Sequence, residues 1–136
     1  MPNATPRELF ERQIDCIRRD DRRTQAELYA PDLIYEFPFA SDRPRRIEGR
    51  DAFINVMTPM WENIRQRNAR VVDCEYRFHE TADPDFGVAE FDLFVEIEAR
   101  RTPIRFVQLI RVRNGLIVEV HEYFNPELRS RLASEN

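Results

Sequence analysis

The sequence predicts an α+β fold: a cone-shaped roll in which a curved, mostly antiparallel sheet wraps around a long helix and an N-terminal helical hairpin. Three observations predict it. Helical spacing of apolar residues governs the N-terminal segment and one long later segment, while period-two alternation governs nearly everything after residue 70. Asn114-Gly115 then joins the last two alternating runs as a tight hairpin. At 136 residues the chain has the length of a single domain with one core, spanning 1–136.

Thr5-Pro6-Arg7-Glu8 supplies an N-cap threonine, a proline at the first helical position and a glutamate spaced for a capping box, so a helix starts there. Phe10, Ile14 and Ile17 follow at helical spacing beside Leu9, Gln13 and Cys16, and Gln13 is the polar exception on that face. A second helix over 21–30, stopped by Pro31 through its effect on the preceding residue, completes the hairpin. From Asp32 the period falls to two, and Leu33, Tyr35, Phe37 and Phe39 share one aromatic face of a strand. A turn at Ser41-Asp42-Arg43-Pro44 and a short return over 45–48 lead to Gly49-Arg50-Asp51, which opens a helix reaching residue 67. Pro59 should kink that helix, and Phe53, Met57, Met60, Trp61 and Ile64 form its buried stripe. Strands over 71–79, 87–98, 104–113 and 116–124 make up a meander, and Asn125-Pro126 caps a last short helix carrying Leu128 and Leu132.

Composition removes whole classes of function. All 21 basic residues are arginine, which excludes Schiff-base chemistry, pyridoxal phosphate attachment and a Walker phosphate loop. Gly49, Gly87 and Gly115 are too dispersed for a dinucleotide fingerprint. Two histidines, His79 and His121, cannot form a three-histidine zinc site, and Cys16 and Cys74 lack zinc-knuckle spacing, so neither metal nor cofactor is expected. A net charge of -4, with arginines interleaved among carboxylates, speaks against nucleic acid as a partner. The 34% charged residues and a mean hydropathy of -0.62 speak against a membrane. Two cysteines and no apolar run after Met1 point to a reduced, cytoplasmic setting.

Parity sorts the last two strands into an inner face of Phe106, Gln108, Ile110, Val112, Val118, Val120, Glu122 and Phe124. Gln108 and Glu122 are its polar exceptions, and with Gln13 they converge on one interior. A carboxylate against apolar walls loses the hydration of its charged form, so its pKa rises toward the range where it exchanges protons near neutral pH. Gln108 and Gln13 would orient a carbonyl or steady developing negative charge. The same pattern also fits a structural Glu122, paired with an arginine or reaching solvent at an edge, and a Gln13 turned outward by one position. The outer face carries Arg111, Arg113, Glu119, His121 and Tyr123, with Glu90, Asp92, Glu96 and Glu98 as an acidic stripe for cross-strand pairing.

Ile47-Glu48-Gly49-Arg50-Asp51 before the long helix, Glu80-Thr81-Ala82-Asp83-Pro84 at a turn, and Asn114-Gly115-Leu116-Ile117 leading to Glu122-Tyr123-Phe124-Asn125-Pro126 carry a resemblance. The chain resembles, over nearly its whole length, the SnoaL-like branch of the nuclear transport factor 2-like superfamily, and within it the phenazine-biosynthesis A/B proteins. The resemblance implies a cystatin-like cone with a deep apolar pocket and a homodimer through the outer sheet face. It places the acid/base carboxylate of the polyketide cyclases and phenazine proteins at Glu122, and a second polar site at Gln108. The ketosteroid isomerase base falls at Phe37 and its tyrosine near Gln13, which disfavours that chemistry. The phenazine proteins' histidine and serine fall at Val56 and Met60, and the Asp-Arg-Asp set of limonene epoxide hydrolases has no counterpart. The expectation is a cofactor-free isomerase, cyclase or lyase acting on a hydrophobic small molecule, a cyclic or carbonyl compound. Glu122 would transfer the proton, Gln108 and Gln13 would orient the substrate, and Tyr35, Phe37, Phe39, Trp61 and Phe124 would shape the pocket. A noncatalytic ligand carrier or dimeric scaffold of the same fold is the alternative.

Overall fold

The capping box at Thr5 closes in both directions: Thr5 Oγ1 accepts from the Glu8 amide at 3.2 Å, and Glu8 Oε1 accepts from the Thr5 amide at 3.0 Å. The computed structural model, which describes residues 3–125, starts helix α1 (Pro6–Arg19) at this box and ends it at Asp20 in the left-handed conformation. Asp21 then caps α2 (Arg22–Ala26), its side chain accepting from the Thr24 amide at 3.1 Å.

That second helix is shorter than the 21–30 expected from Pro31. Tyr29 and Ala30 already belong to strand β1 (Tyr29–Glu36), where they are buried. Pro31 is tolerated there because the pairing of β1 with its neighbour breaks register between Tyr29 and Ile34, so its missing N–H interrupts no ladder. At the other end, β1 stops at Glu36, the alternation lapses, and Phe39 turns outward to 61% exposure.

β2 (Arg46–Glu48) pairs back on β1, and Gly49, at φ +99°, bends the chain into α3 (Arg50–Gln66). Pro59 lies inside α3 without ending it. Only Phe53 and Met57 of the expected stripe are fully buried; Met60, Trp61 and Ile64 are half-buried. Four long strands follow: β3 (Arg70–Glu80), β4 (Phe86–Ile97), β5 (Arg100–Arg113) and β6 (Leu116–Phe124). Asn114 and Gly115, both at positive φ, make the hairpin between β5 and β6.

The six strands run β2-β1-β6-β5-β4-β3. All neighbours are antiparallel except β1 and β6, which lie parallel and put Tyr35 opposite Val120, two residues from Glu122. A bulge corrects one parity assignment. Arg111 faces Glu119 but Val112 faces Ile117, so Val118 is the extra residue and Ile117, fully buried, takes the inner position expected of Val118. The helices cover the inner face, with Phe10 of α1 meeting Phe91 of β4 edge-on at 5.1 Å. The short helix expected after Asn125, with Leu128 and Leu132, lies outside the described residues.

Candidate active site

Between α3, the α1–α2 corner and the inner sheet face lies a cavity of about 690 Å³. Its walls are largely apolar, including Phe53, Met57 and Trp61 from α3 and Phe91, Leu93 and Phe106 from the sheet. Val95 and Ile97 of β4 are half-buried because they border this space rather than packed core.

Glu122 lines the cavity and is 9% exposed. Gln108 sits directly across the β5–β6 ladder and donates from Nε2 to Glu122 Oε1 at 2.7 Å. The Tyr35 hydroxyl donates to the same oxygen at 2.9 Å, and Gln108 Nε2 also reaches that hydroxyl at 3.3 Å. Gln13 comes across from α1 and donates from Nε2 to Gln108 Oε1 at 2.8 Å. The three polar exceptions of the sequence therefore meet at one corner, with Tyr35 as the fourth member.

The string continues behind them. Tyr29 donates to Gln13 Oε1 at 2.7 Å, Gln25 Nε2 donates to Tyr29 at 3.1 Å, and Arg22 donates to Gln25 Oε1 at 2.9 Å. Gln13, Gln25, Gln108 and Glu122 are the buried polar residues of the described core, and all four belong to this one string. Buried polar groups persist where their bonds are made, and this arrangement makes them.

Burial pushes the Glu122 pKa up, against the pull of the Gln108 and Tyr35 bonds and of the Arg43 guanidinium. Burial likewise drives the hydroxyls of Tyr29 and Tyr35 upward, so both stay protonated donors. Arg43 lines the cavity with a side chain 2% exposed; Asp42 binds it bidentately at 2.9 Å, and it lies over the rings of Phe37 and Phe124 at 4.7 and 5.2 Å. Arg22 stacks on Trp61 at 4.6 Å.

The expected aromatic lining divides. Tyr35 and Trp61 face the cavity. Phe37 and Phe124 are buried but pack behind the wall, Phe37 against Tyr35 at 4.8 Å and Phe124 against Phe106 at 6.0 Å. Phe39 is corrected outright: beyond the end of β1 it packs edge-on against Tyr123 at 5.4 Å. The sequence reading missed Arg22, Gln25, Tyr29 and Arg43. The i, i+4 spacing of Gln25 and Tyr29 was a signal of sorts; Arg43, in a turn, gave none.

His121, Glu119 and Glu36 bring three potential ligand atoms within 4.8 Å of one another on the other face of the sheet. Arg46 already holds Glu36 at 2.7 Å, supplying positive charge at that spot. No helix of the described residues is long and apolar enough to cross a membrane.

Similar proteins fit this picture. An uncharacterised PhzA/B-like protein of Pseudomonas aeruginosa is 26% identical over 125 residues, 88% of this chain and 84% of its own. A Bacillus subtilis crystal structure provisionally described as an isomerase superposes with a TM-score of 0.79 at 21% identity, covering 93% of this chain and 90% of its own. A Mycobacterium tuberculosis protein crystallised with estradiol-17β-hemisuccinate superposes with a TM-score of 0.70 at 21% identity, covering 91% and 97%. At such identities the structural likenesses speak for the fold: a curved sheet with helices on its concave face, of the cystatin-like, nuclear transport factor 2-like kind. The SnoaL-like domain matches residues 10–120, which hold most of α1, all of α2 and α3, and every cavity-lining residue except Glu122, and the chain belongs to that family.

Proposed function

We propose that the protein catalyses cofactor-free proton transfer on a small apolar cyclic or enolisable carbonyl compound, an isomerisation, cyclisation or dehydration with Glu122 as the acid/base. One observation carries this reading: a buried carboxylate on an apolar cavity wall whose hydrogen bonds come from neutral donors and converge on one oxygen. Oε1 is held, which leaves Oε2 to take a proton from a carbon beside a carbonyl and return it elsewhere. Gln13 uses one N–H within the string and keeps a second for a substrate oxygen. The cavity volume falls within the roughly 300–1,000 Å³ of small-molecule sites. The steroid ester held by the mycobacterial neighbour supports an apolar ligand of this size.

The test is solvent exchange. A panel of cyclic enones and 1,3-diketones is incubated with the protein in D2O and followed by proton NMR. Protein-dependent loss of an α-proton signal is expected, and Glu122→Gln should slow it by about 100-fold or more while ligand line-broadening persists. A fully active Glu122→Gln sinks the assignment; binding without exchange across the panel moves the protein to the ligand-carrier reading. A homodimer through the outer sheet face belongs to the same proposal, and sedimentation at the monomer mass of 16.3 kDa would remove it.

A further inference from the structure

Tyr29 is 1% exposed and does not line the cavity. Its ring sits edge-on to Tyr35 and Phe53, at centroid distances of 6.3 and 5.3 Å, and its hydroxyl joins the two halves of the buried string. Followed from Arg22 to Glu122, every donor points the same way. A guanidinium only donates and an ionised carboxylate only accepts, so the two ends impose one sense on everything between them. Arg22 takes the Gln25 oxygen, which leaves the Gln25 NH2 for Tyr29. The single proton of Tyr29 then goes to the Gln13 oxygen, the Gln13 NH2 to the Gln108 oxygen, and the Gln108 NH2 to Glu122. Each amide has two orientations, and one combination satisfies every link. A flipped Gln108 would aim its oxygen at Glu122, an arrangement that suits only the protonated acid.

We propose that Tyr29 is a positioning residue for Glu122: its hydroxyl passes the donor sense set at Arg22 to Gln13 and Gln108, and so holds the Gln108 N–H on the carboxylate and keeps it ready as a base. The inference rests on the acid/base reading for its significance, while the one-way string exists whether or not turnover is found. The groups that bear on Glu122 are Tyr35 from β1, Gln108 from β5, Arg43 from the turn after β1, and Gln13 from α1 through the string. Arg22 of α2, Asp42 of the turn after β1, Arg67 just past the end of α3 and Arg70 of β3 are further charges on the cavity wall. All of these stay in place when Tyr29 loses its hydroxyl, so what changes is the enforced orientation of Gln108.

The experiment is a carboxyl ¹³C NMR titration of the whole chain, with the Glu122 signal assigned by its absence in Glu122→Gln. Tyr29→Phe is expected to move the Glu122 midpoint to higher pH by about one unit, a tenfold gain in proton affinity. A folded Tyr29→Phe with an unchanged midpoint overturns the proposal, since a merely structural tyrosine would lower stability without touching this titration. Should Tyr29→Phe not fold, Gln25→Met removes the tether on the other side of the hydroxyl. A shift in the same direction is then expected, and an unchanged midpoint again overturns the proposal. Failure of the exchange assay would defeat the catalytic reading yet leave the titration result standing, so the two failures are distinguishable.

Discussion

The two faces of the same strands treat polarity in opposite ways. Outward, ion pairs are dense: Arg105 grips Asp92 at 2.9 and 3.0 Å, Arg101 reaches Asp73 at 3.1 Å and Arg111 reaches Asp83 at 2.9 Å, each with at least one partner exposed to solvent. Inward, β5 and β6 offer Gln108 and Glu122, and their bonds are made away from water. Outside, water replaces a lost partner; inside, nothing does. The crowded face is therefore the replaceable one, and the sparse face is the one whose few polar groups are constrained.

The largest effect that tests this contrast is expected at Gln108. Gln108→Leu keeps the bulk but strands the Gln13 NH2 and removes one of the two donors on Glu122, at a cost of about 2–4 kcal/mol in urea unfolding near neutral pH. A cost below about 1 kcal/mol would mean that water or Tyr35 takes over the bonds, and the two faces would differ less than their burial suggests.

A smaller effect, of opposite sign, is expected at Glu122. Burial raises its pKa above the unfolded value, so the native state holds the proton more tightly than the unfolded chain does. Its contribution favours folding below the unfolded pKa and is lost as pH rises through the folded pKa. Glu122→Gln removes the burden of the buried charge. It should gain about 1 kcal/mol, or about 2–4 °C in melting temperature, near pH 8, with the gain shrinking toward pH 5. An equal gain at both pH values would show that the carboxylate is not the source. This sharpens the comparison, because the inner carboxylate then weakens the fold in the pH range where it is ionised.

Much of this architecture was legible in the sequence, for a reason that also explains the misses. The capping box at Thr5, the alternation along β4 to β6 and the Asn114-Gly115 turn are local signals, and each produced the element it specifies. Parity then singled out Gln108 and Glu122, and helical spacing singled out Gln13, because one face buried against apolar neighbours makes a polar exception visible. Parity holds only while the ladder holds. Alternation carries Phe39 past the end of β1 at Glu36 and places Val118 inward, where the bulge gives that position to Ile117. Where a ladder ends or bulges depends on partners distant in sequence. Tyr29 was hidden for the same reason: its pairing with Ile117 makes it a strand residue, and nothing local outweighs the helical spacing before it. The buried string draws on α1, α2, β1, β5 and β6, so no spacing within one element could reveal it.

The smallest effect should come from the outer face, at Arg105. The Arg105 bond holds the Asp92 carboxyl below its usual range, so the pair favours folding above the unfolded pKa of Asp92 and loses that contribution as pH falls through the folded one. Its guanidinium is nonetheless largely in water, with the side chain 78% exposed, and exposed pairs recover little of what they cost to order. Arg105→Ala is therefore expected to lower the melting temperature by less than about 2 °C in low salt, and by less still in 0.5 M salt, where the screening length shrinks to a few ångströms. The Gln108→Leu penalty comes from stranded bonds out of reach of salt and should stay constant across the same series. The crossed measurement separates the two faces by mechanism as well as by size: a salt-insensitive loss at Arg105 would mean that the outer lattice is structural, and a salt-sensitive loss at Gln108 would mean that the inner corner is open to solvent.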